Sequence, residues 1–302
     1  MKKHEVTVTI PATSANLGSG FDCLGMSLDI WNDVSIAVSS SPEVYISGEG
    51  SDTLKLTDQN LVYKAAQFAL SEMGEKPWPL SIRCINRIPL DRGLGSSAAA
   101  IIGGLLAANS LFEKPLDTQL LLRLAIKLEG HADNVTPALL GGCQLVVHDE
   151  HTPVTCEITI PPNLMAVLFI PDKPMPTNEG RAILPALVDR RDAIYNIGRA
   201  AMLAQSLTTG NLNNLHIATQ DKLHQPHREK IFPAMPQIFT AALNAGASAV
   251  FLSGGGSSIL ALATSRLMTI GYEMANAADK AGVTGNLKIT SPSSKGAQVI
   301  SG

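Results

Sequence analysis

Only four cysteines occur in 302 residues, at positions 23, 84, 143 and 156, and no two stand in a Cys-x-x-Cys pair or at a metal-site spacing. A chain of this length buries enough core to do without disulfides, so the thiols read as reduced and structural. Charge is also scarce: charged residues make up 16%, the net charge is −3, and there is no basic or acidic tail. This excludes a general positive field that would gather nucleic acid. The opening residues are expected to form a strand rather than a signal peptide. Residues 1–10 carry two lysines and then alternate Val6, Val8, Ile10 like a strand. The most apolar later stretch, 243–264, is interrupted by glycines and serines and makes a poor membrane span. Internal repeats and low-complexity tracts are missing as well. The expectation is a globular cytoplasmic protein, 45% hydrophobic, with neither nucleic acid nor membrane as partner.

What is present is concentrated between Pro89 and Ala99. The run Pro89-Leu90-Asp91-Arg92-Gly93-Leu94-Gly95-Ser96-Ser97-Ala98-Ala99 leads into an alanine- and leucine-rich segment ending near Phe112. Gly93 and Gly95 can take backbone angles other residues avoid, which turns consecutive amides toward one point. Ser96 and Ser97 are helix-capping types, and the alanines and leucines after them propagate a helix. Bare N–H groups and the positive end of a helix dipole then meet where an anion binds. No lysine precedes the serines, so this is not the P-loop of nucleotide hydrolases. The dinucleotide fingerprint Gly-x-Gly-x-x-Gly is missing here too. A glycine turn that merely caps a buried helix remains the plain alternative. The alternating run 81–85 before the loop favours phosphate binding, since it supplies a strand leading into it.

The pattern along the chain mixes strands and helices in an α+β manner. An opening strand ends at Pro11, followed by a small, polar loop through Asp22. Alternating runs at 33–38 and 43–47 predict strands, and spacing predicts helices over 60–73 and 117–129, the latter capped by Asp117. A change of domain is placed in the Pro- and Thr-rich stretch 149–163, giving units of 1–160 and 161–302. Beyond it, 164–170 suits a buried strand, with helices over 191–208, 212–223, 235–245 and 265–281. Strands are expected at 249–252 and 259–263, and a final one at 286–290.

Glu129-Gly130-His131-Ala132-Asp133-Asn134 gathers polar groups at a helix end, next to the apolar segment 136–142. Such a cluster beside buried chain needs partners. Glu129 is suited to Mg²⁺, a hard cation that takes carboxylate, hydroxyl and phosphate oxygens together. Solvated capping is the alternative. Ser253-Gly254-Gly255-Gly256-Ser257-Ser258 is a second glycine loop, either a hairpin turn or a close approach to a ligand. Arg181 and Arg228 sit in proline-flanked, irregular segments; arginine suits carboxylate recognition.

Taken in order, these segments resemble the galactokinase, homoserine kinase, mevalonate kinase and phosphomevalonate kinase superfamily over nearly the whole chain. The residues that carry the likeness are Pro11 to Asp22, the Pro89–Ala99 loop and the late glycine loop, where the usual Gly-x-Gly-Pro reads Gly254-Gly255-Gly256-Ser257. The first of these, together with Glu129 to Asn134, is most similar to the homoserine kinase members. The resemblance implies an N-terminal α/β domain with a left-handed crossover and a C-terminal ferredoxin-like domain, with the site between them. It also implies ATP and Mg²⁺, and phosphorylation of the L-homoserine hydroxyl in threonine synthesis; dimers are the family's habit. By the same likeness the loop wraps the phosphates, Ser97 and Glu129 meet Mg²⁺, and Asn60 lies near the adenine. Asn16 and Asp22 face the substrate, with His131 and Asp133 beside them, and Arg181 and Arg228 take its carboxylate. Asn134 stands where mevalonate kinases carry an aspartate proposed as the base. Alternatives are another small-molecule kinase of this superfamily (for mevalonate, a sugar or shikimate) or a sensor that keeps the fold without catalysis.

Overall fold

The computed structural model describes residues 4–112, 115–148 and 153–301. Part of the expected domain change, 149–152, therefore lies outside the described residues. The first half forms β1 (Glu5–Ala15), β2 (Leu24–Val38), β3 (Glu43–Gly48), α1 (Leu61–Glu72), β4 (Leu80–Asn86), α2 (Ser96–Ser110), α3 (Thr118–Glu129), α4 (Val135–Leu140), β5 (Cys143–His148) and β6 (Pro153–Ile158). Strand β2 pairs with β1 along its length, with β4 through Asp33–Val38, and with β5 at Leu24–Met26. Parallel pairing of β3 and β4 requires a crossover between them, which α1 supplies. Asn60 caps α1 by accepting from the Val62 amide at 2.9 Å, and Asp117 caps α3 through Leu120 at 2.7 Å.

The opening strand does not stop at Pro11. It continues to Ala15 across a register shift between Pro11 and Ala12. Proline has no amide to give the ladder, and a bulge is where a sheet tolerates that loss. The small residues after it, which looked like loop, are all buried against β2.

The second half contributes β7 (Met165–Pro171), α5 (Thr177–Ala182), α6 (Arg190–Thr209), α7 (Leu215–Ala218), α8 (Gln225–Arg228), α9 (Met235–Asn244), β8 (Ala249–Leu252), β9 (Ile259–Ala263), α10 (Leu267–Lys280), β10 (Gly285–Thr290) and β11 (Gln298–Ser301). Its sheet has the order β10-β7-β9-β8, with every neighbour antiparallel. This is the ferredoxin-like arrangement. Alternate residues of β7 explain its continuous apolar run. Ala166, Leu168 and Ile170 join the core of the first sheet, whereas Val167 and Phe169 pack with α9 and α10. A strand buried on both faces shows no polar alternation.

Three further expectations change. The expected helix over 212–223 breaks into a 3₁₀ turn, Leu212–Asn214, and the single turn of α7. Asp221 then stops it, its carboxylate accepting from the amides of Leu223, His224 and Gln225 at 2.7–2.9 Å. Arg181 and Arg228 stand on the short helices α5 and α8 rather than in irregular chain. The strand at 285–290 is not the last: β11 returns to pair with β1. Among the described residues no helix is long and apolar enough to cross a membrane.

Candidate active site

The loop from Pro89 to Gly95 is held by its carbonyls. Asp91 O accepts from the Met175 amide at 2.9 Å, and Arg92 O from the Ser258 amide at 3.1 Å. Gly93 O accepts from Ser253 Oγ at 2.7 Å, and Leu94 O from the Thr13 amide at 3.1 Å. With its oxygens turned into the protein, the loop presents its amides the other way. Those of Gly93 to Ala98 have no acceptor among the described residues. They stand at the start of α2, where the helix dipole adds positive potential. Gly93 and Gly95 have φ of +69° and +71°. A Cβ on Gly93 would lie 2.0 Å from Ser253 O, and one on Gly95 would lie 1.9 Å from Thr13 Oγ1. Ser96 and Ser97 do not cap α2 as expected; Gly95 takes the cap position without a side chain. The Ser97 hydroxyl instead donates to Glu129 Oε2 at 2.6 Å.

A cavity of about 350 Å³ opens around this loop. On one side it is apolar, walled by Val34, Ile46 and Cys84, with Leu61, Val62 and Ala99 from α1 and α2. Strand register aligns Val34, Cys84 and Ile46 as one cross-strand row on β2, β4 and β3. Burial pushes the Cys84 thiol up to about 12, so it is an inert wall rather than a nucleophile. Asn60 lines this end, but its amide is committed: Oδ1 caps α1 and Nδ2 donates to Lys55 O at 2.8 Å. Pro89, Leu90, Asp91, Arg92, Gly93, Leu94, Gly95, Ser96 and Ser97 line the middle. Ala98 turns its methyl into the core. The Arg92 guanidinium binds the carbonyls of Pro171, Leu90 and Asp172, so it clamps the loop to the end of β7.

The opposite end is polar and is assembled from distant segments: Asn16, Glu129, His131, Asp133, Asn134, Arg181, Arg228 and the backbone of Gly254 and Gly255. Asn16 donates to Gly254 O at 2.9 Å and accepts from the Asp22 amide at 3.0 Å. Asp22 does not line the cavity wall. Its carboxylate instead takes both terminal nitrogens of Arg181, at 2.7 and 3.1 Å. His131 Nδ1 lies 3.0 Å from Asp133 Oδ1. Burial opposes the charged form of His131, but the hydrogen bond and charge of Asp133, with Glu129, outweigh it and raise its pKa. Asn134 Oδ1 accepts from the Thr13 hydroxyl at 2.8 Å. Among the described residues no group of three or more His, Cys, Asp or Glu side chains is gathered as a metal cluster.

Sequence reasoning missed the apolar row and a set of supporting groups: Thr13, Phe21, Asp221 and His224. The Phe21 ring stacks on His224 with centroids 5.1 Å apart and faces the guanidinium groups of Arg181 and Arg228 at 5.9 and 5.8 Å. The spacing His224 to Arg228, one helical turn, was the available signal; Pro226 between them hid it. Burial first, and then Arg181, lower the Arg228 pKa to about 10, which still leaves it charged at neutral pH.

His224 is fully buried, and burial, reinforced by Arg228, holds its pKa below the ordinary value. The unfolded chain protonates it below about pH 6.5, so there the unfolded state binds more protons and folding stability falls with pH. The shift of His131 acts in the opposite sense, so the informative quantity is a difference. The advantage of the unaltered protein over His224→Asn in urea midpoint should shrink between pH 7.5 and pH 5. A constant advantage would show that His224 does not titrate this way.

Comparison with known proteins gives a consistent result. Residues 60–142 match the model of the GHMP kinases N terminal domain, and residues 185–280 that of the GHMP kinases C terminal. The chain is 42% identical over 293 residues to homoserine kinase of Moorella thermoacetica, covering 97% of this chain and 99% of that one. It is 44% identical over 261 residues to homoserine kinase of Synechocystis sp., covering 85% of each. The crystal structure of homoserine kinase from Cytophaga hutchinsonii superposes with a TM-score of 0.88 at 29% identity, over 99% of this chain and 98% of that one. Galactokinase of Lactococcus lactis complexed with galactose gives 0.74 at 13% identity, covering 98% of this chain and 95% of that one, a likeness of fold alone.

Proposed function

The chain belongs to the GHMP kinases, and from that premise we propose that it transfers the terminal phosphoryl group of ATP to the side-chain hydroxyl of L-homoserine. The products are O-phospho-L-homoserine and ADP, and the step serves threonine synthesis. One observation carries the reading. The amides of Gly93 to Ala98, without acceptors among the described residues, lie between an apolar slot and a polar end containing a buried arginine that has no carboxylate partner among those residues. A nucleotide with a flat base, an anionic tail and an amino-acid acceptor beyond it has the complementary order of groups.

In this reading the purine lies against Val34, Ile46 and Cys84, and its phosphates take the loop amides. The donor set suits Mg²⁺: Ser97 Oγ and Glu129 Oε2 are hard oxygens 2.6 Å apart, and this ion is commonly held by one or two protein oxygens with phosphates and water. Bound there, it would neutralise charge developing on the phosphates. The acceptor's carboxylate goes to Arg228, with Arg181, whose terminal nitrogens Asp22 already holds, adding positive charge beside it, and its ammonium goes toward Asp22. Thr13 fixes the orientation of Asn134 beside the reacting hydroxyl. An amide cannot take a proton, so the proton leaves to phosphate or solvent. Phosphoryl transfer tolerates this because it depends mainly on position and charge. We divide the chain at 160/161 in the same reading, with β11 returned to the first domain. We assign it to the cytoplasm, where ATP is at hand and where its four cysteines, all unpaired, would stay reduced.

The test is ADP release with L-homoserine against mevalonate, galactose and L-serine. We expect L-homoserine to exceed each of the others by at least about 100-fold in kcat/KM: galactose has no carboxylate and strands Arg228, mevalonate has no ammonium for Asp22, and the hydroxyl of L-serine stops one methylene short of the phosphoryl group. Faster turnover of another alcohol would reassign the substrate. ATP binding with no turnover of any acceptor would make the protein a sensor.

A further inference from the structure

Arg228 is 1% exposed and lines the polar end of the cavity, yet no carboxylate lies within ion-pair distance of it among the described residues. All its partners are uncharged. Nε donates to Gly180 O at 3.2 Å, and Nη1 donates to Gly254 O at 3.0 Å. Nη1 also lies 2.8 Å from His224 Nδ1. A guanidinium has donors only, so Nδ1 must be the acceptor and must carry no proton. The ring proton then sits on Nε2, which is 2.8 Å from Gly18 O and donates to it. Asp221 approaches Nε2 at 3.6 Å, but its oxygens are occupied by the amides of Leu223, His224 and Gln225 and by Asn196 Nδ2 at 2.7 Å.

We infer that His224 is a positioning residue for acceptor binding: its unprotonated Nδ1 fixes the Arg228 guanidinium without neutralising it, leaving Nη2 and the full positive charge for the substrate carboxylate. A carboxylate in place of His224 would hold Arg228 equally well, but it would form a buried ion pair and compete with the ligand. Arg181 shows the contrast, since Asp22 already occupies both its terminal nitrogens. The Phe21 ring, stacked on His224, keeps the imidazole from rotating away. Nothing in the family likeness or in the sequence motifs assigned a role to His224. The inference rests on Arg228 being the carboxylate anchor of the proposed reaction.

Two substitutions divide the histidine's two hydrogen bonds. In His224→Gln the amide nitrogen reaches the Nε2 position, so the bond to Gly18 is kept and the acceptor for Arg228 is lost. In His224→Asn the side-chain oxygen falls where Nδ1 was, so the acceptor is kept and the bond to Gly18 is lost. We expect His224→Gln to raise KM for L-homoserine roughly tenfold or more, with KM for ATP changed by less than about twofold. His224→Asn should recover most of that loss despite a lower Tm. Equal KM values in the two variants, or the reverse order, overturn the inference. Arg228→Gln separates this outcome from failure of the underlying reading. If it leaves KM for L-homoserine unchanged, the anchor and the inference fall together. If it raises KM while His224→Gln does not, only the inference falls. Should the variants not fold, ¹⁵N spectra of labelled histidine in the unaltered protein decide: a bare Nδ1 at neutral pH is expected, and a doubly protonated ring overturns it.

Discussion

Replacing Glu129 with alanine lowers kcat for phosphorylation of L-homoserine by about 10²–10³, the effect of losing one group placed where charge develops in a transition state. The expectation rests on the contact with Ser97: Glu129 Oε2 accepts that hydroxyl at 2.6 Å, directly beside the first turn of α2. Without the carboxylate, the amides remain but the paired oxygens suited to Mg²⁺ do not. Titration of activity with Mg²⁺ checks the cause, since the variant should need a far higher concentration to reach its lower plateau. Asn134→Ala is the matched control. It frees the Thr13 hydroxyl and loosens orientation but removes no charge, so its kcat should fall by about tenfold or less. Asn134→Ala with intact ligand binding and no turnover would give Asn134 an essential chemical role and contradict a base-free transfer.

Gly93→Ala has a comparably large effect by a different route. At φ of +69° an alanine costs about 1–2 kcal/mol in backbone strain alone. Its Cβ would also meet three backbone atoms of the second glycine loop: Ser253 O at 2.0 Å, Gly256 N at 2.9 Å and Gly256 O at 3.0 Å. Backbone at that distance cannot rotate out of the way, so the phosphate loop must move off the 253–258 turn. We expect Tm to fall by roughly 5 °C or more. We also expect kcat/KM for ATP to drop by at least about 100-fold, given the penalty for misplacing catalytic donors by an ångström. An enzyme with unchanged ATP kinetics would mean that the loop amides do not grip the nucleotide. The close approach accounts for Gly254, where a Cβ would lie 3.3 Å from Gly93 O, and a Cβ on Gly256 would lie 2.0 Å from the Met175 side chain; in the sequence the run was as consistent with a plain hairpin. The turn holds the loop from behind, through Ser253 Oγ on Gly93 O and the Ser258 amide on Arg92 O.

Much of the cavity wall was legible because its residues follow one another along the chain. A glycine loop that precedes a helix states its own chemistry, since the backbone angles and the first-turn amides are local properties. The Glu129–Asn134 cluster at the end of α3 was legible for the same reason. Two positions beside the glycine loops, Asp91 and Ser257, have their contacts set by the fold. The Asp91 side chain is exposed while its carbonyl holds Met175, and Ser257 Oγ donates to Lys173 O at 2.8 Å. By contrast, the strand beyond Pro11 was read as loop because proline and small residues mimic one. Only the partner β2 shows that the ladder resumes after a bulge.

From residues alone came the anion cradle, helix α1, helix α3 with its cap, the apolar strands of the second sheet, and the likeness to a kinase family. Each depends on interactions within about one turn of chain or on a fixed order of motifs. Tertiary structure alone decided that Val34, Cys84 and Ile46 form one wall, that Asp22 pairs with Arg181 across 159 positions, and that His224 meets both Gly18 and Arg228. Side chains that face one another across strand register or between distant helices share no local pattern. Their proximity is set by how two sheets pack into a common core.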